Sequence, residues 1–291
     1  MSRRALKVGP VEAVVFYPEG LPKKVLSLGG MLSKPAPKAE EHLAPLPKAT
    51  PHPGSEELQK RVDAIEWYHT IDLGNGVVTP GWFDLRNELH NYPLPERMDG
   101  MRVLDVATFD GFWAFEFAKR GADVVALDIE SFASVDMSPR IRRTKTDEYL
   151  ARKTGEGFAL CREVLQLPVH REICNVYDLS PERLGMFDMV FVSDLLLHLM
   201  NPMRALNNMC SVTRGEAVIA EVYDSRLPES EKLMHYEGGE VHNTWWSISF
   251  GALQQMVVDA GFRQVEVTNR FMTGYRGQPA VLAHAAFRAR P

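Results

Sequence analysis

The sequence predicts an α/β fold in which a mostly parallel sheet is covered by helices on both faces, and three observations carry this. Short apolar runs alternate with helical patterns from residue 98 onward. Met101 to Val106 and Ala122 to Leu127 read as successive buried strands joined by a tight turn and a helix, which makes a βαβ unit. Phe262 to Val267 and Ala280 to Phe287 close the chain as directly connected strands, which requires an antiparallel hairpin around Gly274 and Gly277.

Taken in order, Val8 to Tyr17 alternates enough to predict a strand. From Pro35 to Pro53 six prolines disfavour both helix and central strand and predict a linker. Ser55-Glu56-Glu57 opens a helix with Leu58, Val62 and Ile65 on one stripe. Trp67 to Phe83 combines two tryptophans, His69, a Gly-Asn-Gly turn and a Thr-Pro-Gly turn. It reads either as an aromatic-stapled loop packed on the core or as a lid over a ligand. Phe112 to Lys119 is apolar nearly all round and predicts a helix buried against the sheet. Gly157 to Gln166, Pro202 to Thr213 and Ser249 to Ala260 predict further helices. Val169 to Val176, Phe187 to Ser193 and Ala217 to Val222 supply the remaining strands, seven in all with the first two and the final pair.

The 291 residues carry 45% hydrophobic and 24% charged side chains, with a net charge of −5, an ordinary globular composition. That charge gives no global field toward nucleic acid or an anionic membrane. No apolar run approaches the roughly 20 residues of a membrane span, and the N-terminus lacks the pattern of a secretory signal. Three cysteines, Cys161, Cys174 and Cys210, are too widely spaced for a C-x-x-C motif and with 13 methionines predict packing roles in a cytoplasmic protein. No His, Cys or carboxylate spacing predicts a metal site. Ser193 lacks the setting of a hydrolase nucleophile. The basic run Arg140, Arg142, Arg143 and Lys145 reads as a solvated face.

Chemistry concentrates at the predicted strand ends. Asp105 ends the first strand of the βαβ unit, Asp110 and Gly111 open its helix, and Asp128 ends the next strand. That is the layout of a nucleoside site, with amides at the helix start and an acid for ribose hydroxyls.

The order of these residues resembles the class I S-adenosylmethionine-dependent methyltransferases over residues 98–291. The resemblance implies a Rossmann-like seven-stranded, mostly parallel sheet with an antiparallel last strand. Residues 1–54 form an N-terminal extension and 55–97 a helical, aromatic lid segment. It also implies a cofactor, S-adenosyl-L-methionine, and a set of contacts. Asp105, Ala107, Phe109, Asp110 and Gly111 would surround its amino acid part, Asp128 its ribose, Ile129 its adenine ring and Asp178 its adenine amino group. Leu179, Ser193 and Trp82 complete that set. The family usually places three glycines in the first turn, whereas Ala107 and Phe109 stand at two of those positions. Phe109 is therefore expected to point into the protein and Gly111 to approach the methionine part.

More narrowly, Gly111-Phe112-Trp113, Gly76 to Trp82 and Asn243-Thr244-Trp245-Trp246 resemble the group related to enzymes that modify the wobble uridine of transfer RNA. Members that transfer a carboxymethyl group need cations around a carboxylate. Here no lysine occurs between Lys60 and Lys119, Leu197 precedes His198, and Pro279 stands near the start of the last strand. The expected enzyme is thus a methyltransferase acting on a small-molecule acceptor, most readily at oxygen. A transfer RNA modifier and a non-catalytic scaffold are the alternatives. Candidate bases are His198, Glu221, His69 and His242. His235, Tyr236, Trp245 and Trp246 are candidates for acceptor binding. No membrane partner is expected, and a homo-oligomer is compatible with the sequence.

Overall fold

The structure, a computed structural model, describes residues 2–8, 11–17, 54–240, 243–276 and 281–291. The chain divides into two compact units, residues 1–40 and 41–291. In the first, β1 (Ser2–Val8) and β2 (Val11–Tyr17) pair antiparallel from Ser2↔Tyr17 to Val8↔Val11. The single strand predicted from Val8 to Tyr17 therefore begins in one strand and continues in its partner. The proline-rich linker lies outside the described residues.

The second unit opens with α1 (Glu56–Asp63). It continues through β3 (Arg102–Val106), α2 (Phe112–Lys119) and β4 (Asp123–Asp128). The short helices α3 (Pro139–Arg142) and α4 (Asp147–Ala151) precede α5 (Glu156–Leu165) and β5 (Val169–Ile173). Next come α6 (Pro181–Leu184), β6 (Phe187–Ser193), α7 (Pro202–Val212) and β7 (Thr213–Tyr223). A small hairpin of β8 (Met234–Tyr236) and β9 (Trp246–Ile248) leads to α8 (Phe250–Asp259), β10 (Gln264–Gly274) and β11 (Val281–Arg290).

Seven strands form one sheet in the order β10-β11-β7-β6-β3-β4-β5. Pairing is parallel from β7 to β5, and β11 runs antiparallel to both β7 and β10. The sheet is Rossmann-like with an antiparallel last strand, as expected, but that strand lies inside the sheet and β10 takes the edge.

The two faces follow from side-chain alternation. Leu104, Val106, Val190, Val192 and Ile219 face α7 and α8 through Leu206, Met209, Leu253 and Val257. Val103, Val124, Met189, Phe191 and Val218 face α2 and α5 through Phe115, Phe117 and Phe158. Trp67, Ile71, Leu73, Val77 and Met98 belong to this second face. The segment before β3 is therefore part of the core, and only some of its aromatics are available for another role. Burying one such large side chain contributes about 1.5–3 kcal/mol, which holds the segment without help from a ligand. The order of the strands reverses between β3 and β6, with β4 and β5 laid down on one side and β6 and β7 on the other. Ligands of open α/β sheets collect outside the carboxyl ends of strands at such a point.

Candidate active site

The turn after β3 has left-handed backbone at Ala107 (φ 62°), Phe109 (φ 50°) and Gly111 (φ 91°). These are the three positions where glycines are expected. The turn thus keeps the glycine conformation without two of the glycines, at about 1–2 kcal/mol per non-glycine residue. A Cβ on Gly111 would meet Phe115 at 2.5 Å and Phe158 at 2.7 Å. Gly111 is therefore required by packing at the start of α2, and it is not among the residues lining either cavity. Phe109 corrects an expectation. Its ring does not turn inward but is 38% exposed, edge-on to Tyr68 at 5.8 Å, and forms part of the wall of two cavities.

The first cavity lies against the ends of β3, β4 and β5. Ala107, Asp128, Ile129, Val135, Val176 and Leu195 line it, with His198 and Asn243 also contributing. Asp128 is buried; its Oδ1 accepts from the Ile129 amide at 2.8 Å and its Oδ2 from Arg171 at 3.3 Å. Burial pushes its pKa up to about 6 against the pull of Arg171. Asp105 is fully buried, its Oδ2 has no hydrogen bond among the described residues, and burial pushes its pKa to about 7.

Asp178 and Leu179 do not fit the roles expected of them. The chain turns through a single 3-10 turn at Val176–Asp178, capped by Asn175 Oδ1 on the Tyr177 amide. This carries Asp178 outward, 3.9 Å from Arg204 with 63% of its side chain exposed, and puts Leu179 in the core. Asn175 lines the cavity instead. Ser193 ends β6 with its hydroxyl lacking a hydrogen bond among the described residues.

Asp110 also differs from expectation, because its carboxylate faces the protein. Its Oδ2 accepts from the Tyr68 and His69 amides at 3.0 and 2.7 Å, and its Oδ1 is 2.6 Å from His69 Nδ1. The imidazole stacks on Phe112 at 5.2 Å. The chain then doubles back: the Thr70 amide donates to the Phe83 carbonyl at 2.7 Å and the Phe83 amide to the Tyr68 carbonyl at 2.9 Å. Gly81 lies in this crossing, where a Cβ would fall 2.0 Å from the His69 carbonyl carbon. Tyr68 and Trp82 line the second cavity, of about 310 Å³, together with Phe109, Phe132, Tyr149 and Arg152. Phe109, Phe132 and Thr154 are common to both cavities.

Glu221 ends β7 fully buried, its Oε1 and Oε2 accepting from the Leu195 and Leu196 amides at 3.0 and 3.1 Å. Both oxygens are thereby committed to holding the turn after β6, which argues against a free base. His198 Nδ1 lies 3.2 Å from the Asn243 carbonyl. Trp245 is buried with its indole on the Asp136 carbonyl at 2.7 Å, and Trp246 donates to the Leu199 carbonyl at 3.0 Å. Both pin the β8–β9 hairpin to the core edge rather than facing a cavity. His235 and Tyr236 stand exposed on that hairpin, and His242 lies outside the described residues. The basic run is tied locally, with Arg142 donating to the Ala133 and Val135 carbonyls and Arg140 paired with Glu240.

A polar pair missed by sequence reading joins β6 to β11, where buried His284 Nε2 lies 3.0 Å from Asp194 Oδ1. His284 sits in an alanine-rich strand that reads as pure core, so its spacing carried no signal.

A profile of the methyltransferase domain matches residues 81–267, and the chain belongs to that family. A search of curated proteins finds no match. Among solved structures, the N-terminal domain of EvdMO1 in the presence of SAH and D-fucose is 18% identical. It has a TM-score of 0.53 and covers 82% of this chain and 97% of that one. The same domain with SAH bound gives 17% and 0.54, covering 82% and 98%. Magnesium protoporphyrin IX methyltransferase (ChlM) from Synechocystis PCC 6803 gives 16% and 0.44, covering 67% and 76%.

The residues lining the first cavity fit S-adenosyl-L-methionine: Asp128 would accept from its ribose hydroxyls, and the apolar walls of Ile129, Val135, Val176 and Leu195 would hold its adenine ring. When bound, the cofactor supplies an electrophilic methyl group. Among the described residues no helix is long and apolar enough to cross a membrane, and no cluster of metal-ligating side chains occurs.

Proposed function

We propose that the protein methylates a hydroxyl group of a small-molecule acceptor. The observation that supports this reading is the second cavity. It shares Phe109, Phe132 and Thr154 with the cofactor cavity, and its roughly 310 Å³ suits a small molecule. Its walls combine the open rings of Trp82 and Phe109 with the polar groups of Arg152, Lys153 and Thr154. Such walls suit a ring bearing hydroxyls. The residues there would hold the acceptor, exclude water and align its oxygen with the methyl carbon.

Modification of transfer RNA at the wobble uridine is the weaker reading. It needs cations beside the cofactor. Arg86 is held bidentately by Asp84 at 2.7 Å on both arms, and Arg276 donates to the Thr70 hydroxyl at 3.0 Å. The test is incubation with S-adenosylmethionine and a panel of catechol, 4-hydroxybenzoate, D-fucose, their amine and thiol analogues, and unmodified transfer RNA. S-adenosylhomocysteine release is followed by mass spectrometry. Turnover confined to hydroxyl acceptors is the expected result. Turnover of RNA alone, or of amines or thiols alone, defeats the proposal.

A further inference from the structure

Resting on that reading, we propose that Asp194 takes the proton from the acceptor hydroxyl and that His284 is the positioning residue behind it. Asp194 follows directly on β6. Its sequence neighbour Leu195 lines the cofactor cavity, and its charge acts on Tyr68, which lines the second cavity. Its backbone is left-handed at φ 55°, a conformation an aspartate holds only when the surroundings enforce it. The enforcement is visible. The Asp194 amide donates to the Ala220 carbonyl at 3.1 Å, and Glu221 grips the next two amides.

Asp194 Oδ1 lies 3.0 Å from His284 Nε2 at ion-pair distance, though the two are not aligned as a hydrogen bond. Oδ2 has no hydrogen bond among the described residues, and 16% of the side chain remains accessible. His284 is 1% exposed, its Nδ1 is 3.0 Å from the Leu282 carbonyl, and its ring stacks on Phe271 at 5.2 Å. It cannot meet an acceptor itself.

The groups around the pair are acids and phenols. Glu88 acts on His284 through its charge, and Asp194 acts on Glu221, Tyr68 and Tyr92. Burial alone would lower the His284 pKa, but the Asp194 carboxylate raises it above the ordinary value. In the step, the acceptor O–H bond breaks with its proton passing to Asp194 Oδ2. The oxygen forms a bond to the methyl carbon, and the carbon–sulfur pair leaves with sulfur, yielding S-adenosylhomocysteine and the methyl ether.

The experiment uses the full chain and a hydroxyl acceptor that turns over in the panel above. Asp194→Asn should lower kcat by about 100-fold or more, with the Kd for S-adenosylmethionine changed by less than about threefold. His284→Gln should move the acid limb of the kcat profile to higher pH while KM holds. Independently of activity, nitrogen-15 NMR of labelled histidine should show the His284 midpoint falling by about half a pH unit or more in Asp194→Asn. If that variant does not fold, Asp194→Glu takes its place, with the kcat loss and the moved His284 midpoint again expected. Near-wild-type kcat in a folded variant, or an unmoved His284 midpoint, overturns the inference and leaves the proposed function standing. A panel with no hydroxyl turnover overturns both.

Discussion

Asp110 Oδ1 and His69 Nδ1 lie 2.6 Å apart across 41 residues of chain, and through this contact the cofactor turn and the segment ahead of β3 become one rigid piece. The same carboxylate also accepts two backbone amides, so its removal leaves three buried donors without partners.

Asp110→Ala should therefore destabilise the protein by about 3 kcal/mol, because unpaired buried polar groups retain their desolvation cost. Scanning calorimetry of the apo-protein checks this; a Tm within about 2 °C of wild type counts against the contact as a structural link.

Asp128→Ala should weaken S-adenosylmethionine binding by about 30-fold or more, since a carboxylate that accepts ribose hydroxyls contributes roughly 2 kcal/mol or above. Asp178→Ala should leave the Kd within about twofold, given that its side chain points outward. Isothermal titration of the two variants side by side separates them, and the opposite ranking would restore the role the sequence implied for Asp178.

Ala107→Gly should stabilise the fold by about 0.5–1 kcal/mol, because glycine occupies φ 62° without the Cβ penalty. Urea unfolding measures it. A loss of stability would show that the alanine methyl makes contacts worth more than the backbone strain.

Burial raises Asp105 from 3.8 to about 7 and Asp128 from 3.8 to about 6. The folded chain therefore binds protons more tightly than the unfolded chain across that window. Stability is fully present below the unfolded value and is lost as pH rises through the folded values. The apo-protein Tm should fall by roughly 5–10 °C between about pH 4.5 and pH 7.5 from these two groups. Binding a cationic cofactor beside Asp105 should release protons near neutral pH. Calorimetric titration in buffers of different ionisation enthalpy reads this directly, and a buffer-independent heat would contradict it.

Much of the fold was legible because each sheet strand is a short run whose alternate residues enter one of two apolar faces. Phe112 to Lys119 and Phe187 to Ser193 emerge with the boundaries their patterns predict. Asp105 and Asp128 fall at the carboxyl ends of β3 and β4, where backbone position alone puts them. The site was misread where one turn decides direction. Asp178 is three residues past Asn175, and the intervening 3-10 turn rotates the acid out of the cavity. Asp110 was read as a ligand contact because it sits beside a helix start, while its partners lie 41 and 42 residues earlier in the chain. His284 carried no signal, since a histidine flanked by alanines within a strand looks like filler until Asp194 is placed next to it.

Gly81 sets a boundary on change in this protein. With 2.0 Å between a notional Cβ and the His69 carbonyl carbon, and 2.5 Å to the Thr70 nitrogen, no side chain of any kind fits without uncrossing the backbone. A directed-evolution library that varies the exposed, cavity-lining Trp82 to retune acceptor choice can therefore be broad at that position, but must keep the codon before it fixed.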